Sequence, residues 1–183
     1  MDDLQEIYAI QRLKHRYLRC LDQKRWDELA TCFTEDATCA YGDGKYSYQG
    51  RDAIIEFLRT AMGAPSFLSS HRASHPEIDL TSPTTATGIW ALDDIVIETQ
   101  AQITIRGAAF YYDEYVKQDG TWRLRSTGYK RTFEEMESRR VAARPRARCS
   151  APGARSRAAW RARAGASAPR RPAPRPWWRP SAR

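Results

Sequence analysis

The chain has 183 residues and a formal net charge of +8, from 30 Lys+Arg against 22 Asp+Glu. Residues 139–183 hold 14 Arg and no acidic residue, so residues 1–138 keep 16 basic and 22 acidic groups, a net of −6. The basic excess describes the last 45 residues and not the fold, and no apolar run approaches the ~18–20 residues a membrane span requires.

Ile10, Leu13, Tyr17 and Cys20/Leu21 recur at three-to-four spacing, which predicts a long amphipathic first helix. The start, Met1-Asp-Asp-Leu-Gln-Glu6, is acidic and runs straight into that pattern, unlike a signal peptide. After Asp22-Gln23-Lys24 a second short helix is expected from Arg25 to Phe33, then a short strand from Ala37 to Tyr41 and turn chemistry to Lys45. Gly50-Arg-Asp52 opens a third helix with Ile54, Ile55, Phe57, Leu58 and Met62 as its apolar stripe. Beyond Pro65 the period changes from helical to alternating. Strands are expected at about 67–80, 84–98, 101–117 and 121–132, the last two joined by a hairpin at Gln118-Asp-Gly120. The order predicts an α+β fold: three N-terminal helices packed on the concave face of a curved antiparallel sheet, with a cone whose mouth suits a small molecule.

One domain, residues 1–138, is expected. Residues 139–183 contain 7 of the 10 Pro, 13 Ala, 3 of the 6 Trp and no Leu or Ile, a composition too poor in apolar surface to offset its ordering entropy. Its Arg could meet phosphates and its Trp could stack on bases. Its Ala/Arg/Pro/Gly monotony looks more like an out-of-frame reading of GC-rich DNA, so no nucleic-acid partner is expected of the domain. Cys20, Cys32, Cys39 and Cys149 form no CxxC, which speaks against a disulfide framework or zinc site and for a reducing cytoplasm.

Tyr17 and Asp22 are the first candidates for chemistry. Five residues turn a helix by about 500°, so the two meet only if Asp22 stands where the helix ends. The plainer readings are a core tyrosine and a helix-capping aspartate. His71 and His75 are two of three histidines, and His15 beside Lys14 and Arg16 reads as surface. Near a carboxylate a histidine can move a proton in either direction. Metal is not expected, because the segment lacks the Glu of HExxH and strand residues four apart lie roughly 13 Å from each other. In a regular strand both histidines would face away from Ile78 and Leu80; a bulge at Pro76 would reset the register. Asp94 shares the apolar side of its strand with Trp90 and Leu92, where a carboxylate needs a partner or a function. Tyr129 and Arg131 share a side of the last strand, and Arg131 could neutralise Asp94 or steady an oxyanion. Tyr41, Tyr46 and Tyr48 flank the glycine turn as a possible pocket lip.

The run Tyr17-Leu-Arg-Cys-Leu-Asp22, Trp26-Asp-Glu-Leu29, Cys32-Phe-Thr-Glu-Asp-Ala37, Gly50-Arg-Asp-Ala-Ile54 and Asp119-Gly-Thr-Trp-Arg123 resembles the SnoaL-like family of the nuclear transport factor 2-like superfamily, over about residues 3–135. The resemblance implies the cone-shaped α+β fold and a homodimer or homotrimer, and the acid–base elimination expected needs no cofactor. By resemblance to the dehydratases acting on bile acids and on scytalone, Tyr17, Asp22, His71, Asp94 and Arg131 are the catalytic candidates; from their own places in the pattern, Tyr41, His75, Trp90 and Tyr129 are expected against the substrate. The chain departs from the scytalone branch in showing no obvious second histidine in mid-sheet. It departs from the ketosteroid isomerases in Thr38-Cys-Ala-Tyr41, which has no carboxylate where their base stands. The activity implied is a lyase that eliminates water from a small hydrophobic hydroxy-ketone such as a steroid or polyketide. The alternative is a non-catalytic ligand-binding module or accessory subunit of the same fold.

Overall fold

A computed structural model describes residues 2–140. Helix α1 (Asp3–Asp22) starts on Asp2, whose carboxylate accepts from the Leu4 amide, with Asp3 and Glu6 in the positive first turn. It buries Ile10, Leu13, Tyr17, Leu18 and Leu21. It ends because Lys24 takes a left-handed backbone (φ 56°), which lets the Arg25 amide reach back to the Cys20 carbonyl at 2.8 Å. That conformation strains a non-glycine residue, and the Lys24 ammonium is anchored by donating to the carbonyls of Met62 (2.6 Å) and Phe67 (2.7 Å).

Helix α2 (Trp26–Ala30) is a single turn, shorter than expected. Strand β1 (Phe33–Tyr41) therefore starts early and takes in Phe33. Strand β2 (Tyr46–Gln49), not foreseen, pairs back on β1 across the glycine turn. Helix α3 (Arg51–Met62) buries Ile54, Ile55, Leu58 and Met62. The long strands follow as β3 (Phe67–Ser82), β4 (Thr85–Glu98), β5 (Ile103–Gln118) and β6 (Thr121–Ser138).

The sheet order is β2-β1-β6-β5-β4-β3, in a curved, unclosed sheet under the helices. The four long strands are antiparallel as expected, but β1 runs parallel to β6, so the whole sheet is mixed. Close approach of β1 to β6 needs Gly128, where a Cβ would stand 2.5 Å from the Ala40 carbonyl oxygen. One face of the sheet packs Trp90, Leu92, Ala109, Tyr111, Tyr115, Trp122 and Leu124 into the core with α1. The other leaves Leu68, Ile95, Phe110, Tyr112 and Phe133 exposed.

No helix among the described residues is long and apolar enough to cross a membrane. The expected tail lies, beyond Arg140, outside the described residues. Before that point Arg139 still bonds to the Gln102 carbonyl and the Thr104 hydroxyl, a little past the expected boundary.

Candidate active site

Two local irregularities bring Asp22 and His71 together. The end of α1 at Lys24 sets Asp22 on the last turn, facing the start of β3. In β3, Ser74 pairs with Ala91 and Glu77 with Ile89, so His75 and Pro76 together stand opposite Trp90 alone. This bulge, with His75 at φ 50°, flips the side-chain parity. His71, paired with Asp94 before the bulge, and Ile78 and Leu80 after it thus all face inward. Pro76 has no amide hydrogen to lose at the unpaired position.

Asp22 accepts three hydrogen bonds, from the His71 ring Nδ1 (2.7 Å), the His71 amide (2.8 Å) and the Ser69 hydroxyl (2.8 Å). Burial pushes the carboxyl pKa up, but the hydrogen bonds from His71 and Ser69 outweigh it and hold the group below the usual range. An ionised carboxylate can only accept, so in the neutral imidazole Nδ1 carries the hydrogen and Nε2 the lone pair.

His71 lines a cavity of about 350 Å³ together with Tyr17, Tyr41, Tyr111, Tyr129 and Arg131, and with an apolar wall of Leu58, Met62, Phe67, Val96 and Ile105. This is within the range of small-ligand pockets. The Tyr17 and Tyr41 hydroxyls lie 3.1 Å apart, and burial raises both phenols well above their ordinary pKa, keeping them neutral donors. Phe57 stacks on Tyr41, Tyr46 and Tyr48, with ring centroids 6.3, 5.4 and 4.5 Å away. Tyr46 reaches the cavity and Tyr48 backs the stack.

Arg131 crosses to Asp94 in a two-pronged ion pair, with Nη2 to Oδ2 at 2.9 Å and Nη1 on Oδ1, while Nε lies 3.3 Å from Glu134. The crossing passes over Gly107. Burial would lower the guanidinium pKa, but Asp94 more than compensates and Arg131 stays charged. Its plane covers the Tyr129 ring at 4.9 Å.

Of the residues singled out from the sequence, Tyr17, Tyr41, His71, Asp94, Tyr129 and Arg131 line one cavity, and Asp22 stands directly behind His71. Two do not join them. His75 sits exposed at the bulge, bonded to the Ser74 hydroxyl at 2.9 Å, because the extra residue throws it off the inward parity. Trp90 faces inward but is buried away from the cavity, its indole donating to the Tyr115 hydroxyl at 2.9 Å. Tyr111 also lines the cavity, and its signal in the sequence is its alternation with Ala109, Asp113 and Tyr115 on the buried side of β5.

Residues 2–128 match the SnoaL-like domain family. A solved structure from Novosphingobium aromaticivorans, provisionally described as a scytalone dehydratase, is 30% identical over 73% of this chain and 88% of its own, with a TM-score of 0.68. A hexachlorocyclohexane dehydrochlorinase of type 2 is 21% identical over 78% and 96% (TM-score 0.68). The type 3 enzyme from Novosphingobium barchaimii is 20% identical over 78% and 94% (TM-score 0.66). The two dehydrochlorinases share the fold.

Proposed function

The chain belongs to the SnoaL-like family, and from that premise we propose that it is a cofactor-independent lyase. It eliminates water from a small hydrophobic hydroxy-ketone of steroid or polyketide type. The reading is carried by one observation: an imidazole held by Asp22 through Nδ1 at the wall of an aromatic cavity.

Nε2 of His71 takes the proton from the carbon next to the ketone. The bonding pair moves into the carbonyl to give an enolate, which the Tyr17 and Tyr41 phenols stabilise by donation. A guanidinium has five N–H groups, and Asp94 and Glu134 occupy three, so Arg131 keeps donors for the substrate oxygen. The imidazolium then protonates the departing hydroxyl as the enolate collapses, releasing water and leaving a carbon–carbon double bond. Asp94 holds Arg131 in place, and Tyr129 offers its ring to the substrate.

The test uses a β-hydroxy-tetralone, whose dehydration yields a fluorescent naphthol. His71→Ala and Asp22→Asn should each lower kcat by about a hundredfold or more, the usual range of general acid–base catalysis, in protein that still folds and binds the tetralone. Undiminished turnover in either variant contradicts the reading. Tetralone binding without turnover in the wild type favours the non-catalytic binding module instead. The expected homodimer or homotrimer belongs to the same reading, with the exposed apolar sheet face as its interface; a monomer in sedimentation equilibrium contradicts that part. A reducing, cytoplasmic location belongs to the same proposal and is supported by the free thiols of Cys20, Cys32 and Cys39 among the described residues.

A further inference from the structure

Behind the cavity wall lies a second charged layer that the mechanism above does not use. Lys14 and Asp113 form an ion pair at 2.7 Å, and neither side chain has any solvent exposure. Asp113 is held in place by three groups. Its Oδ2 meets the ammonium and accepts from the Tyr115 hydroxyl at 2.7 Å, and its Oδ1 accepts from the Thr127 hydroxyl at 2.7 Å. Tyr115 in turn accepts from the Trp90 indole, an arrangement that fits only because Gly88 has no side chain; a Cβ there would stand 3.0 Å from the Tyr115 ring. A buried ion pair with so many dedicated partners is costly to build and gives little net stability over an apolar replacement.

Its position relates it to the cavity. The Lys14 ammonium lies 3.4 Å from the centre of the Tyr111 ring and 5.0 Å from that of Tyr17. Tyr111 and Tyr17 both line the cavity with their rings edge to face, centroids 6.3 Å apart, and the Tyr17 hydroxyl lies 3.1 Å from that of Tyr41. A cation against the face of a phenol draws electron density from the ring and makes its hydroxyl a stronger donor. Among the described residues Lys14 does not line the cavity itself; Arg131 does, and it is paired with Asp94.

We propose that Lys14, held by Asp113, is a positioning residue that strengthens the phenols of Tyr111 and Tyr17 as stabilisers of negative charge on a ligand oxygen. The idea rests on the oxyanion half of the proposed function but does not need His71. Lys14 acts through the ring of Tyr111, and Tyr111 is a further donor residue of the cavity.

The test uses para-nitrophenol, whose absorbance reports how much of the bound ligand is phenolate. The proteins compared are the wild-type chain, Lys14→Met/Asp113→Asn and Tyr111→Phe. The double variant removes both charges at nearly constant volume, so that no lone buried charge is left. The proposal expects the apparent pKa of the bound nitrophenol to rise by about one unit, tenfold in ionisation, in each variant, with binding of the neutral phenol nearly unchanged. A purely structural ion pair would lower Tm and leave the bound spectrum as in the wild type. Tyr111→Phe keeps the ring and the cation contact and so tests the hydroxyl alone; if the double variant fails to fold, Lys14→Gln/Asp113→Asn, which keeps a neutral hydrogen-bonded pair, takes its place with the same expected shift. Binding with identical spectra in the wild type and the double variant overturns the role of Lys14, and an identical spectrum in Tyr111→Phe overturns that of Tyr111. Failure of the wild type to bind the phenol overturns the cavity reading as well.

Discussion

At Gly107 a methyl group would stand 2.7 Å from Arg131 Nη1 and 2.9 Å from the Phe133 carbonyl oxygen. Gly107→Ala should therefore push Arg131 off Asp94 at a cost of about 1–3 kcal/mol. The measurement is denaturant unfolding beside tetralone turnover, and an unperturbed variant would show that the guanidinium does not need this path. Asp22 gives a second prediction at this scale. Its folded pKa lies below the ordinary ~3.9, so its contribution to stability is complete above that pH and is lost as pH falls through the folded value. The stability gap between wild type and Asp22→Asn should narrow as pH drops below about 4, and a constant gap contradicts the ionised pair. The sequence was informative for single residues where a polar group broke an apolar alternation. That reasoning found Asp94, and applied to β5 it would have found Asp113 between Tyr111 and Tyr115. Lys14 was out of reach, because on a helix its burial depends on which partner the sheet supplies.

For whole elements, the decisive features are the two places where regular structure stops. Lys24 ends α1 and ties the end of α3 to the start of β3, so it fixes the distance across which Asp22 meets His71. Lys24→Met should lower stability by about 1–3 kcal/mol, from two orphaned carbonyls, and reduce turnover by loosening that distance. Unchanged melting and turnover would remove it from the account. The bulge at His75 and Pro76 was foreseeable, since His71 and Ile78 have opposite parity and Pro76 marks where they could be reconciled. The brevity of α2, the pairing of β2 and the parallel alignment of β1 with β6 were not. A five-residue apolar stretch fits either a helix turn or a strand end, and the direction of a pairing between residues some 90 positions apart leaves no local pattern.

In the molecule as a whole, the cavity closes through long-range contacts among α1, α3 and the sheet, all within residues 2–140. A chain truncated after Arg140 should keep the Tm and the nitrophenol affinity of the full chain; loss of either contradicts the proposed boundary. The proposed elimination depends on a bare ring nitrogen in the cavity wall. Nitrogen-15 NMR of histidine-labelled protein reads that directly. The predicted result is that His71, in its neutral form, carries hydrogen on Nδ1 and a free lone pair on Nε2, and that Asp22→Asn weakens this preference. Hydrogen on Nε2 in the wild type would leave the cavity without its base and contradict the lyase mechanism.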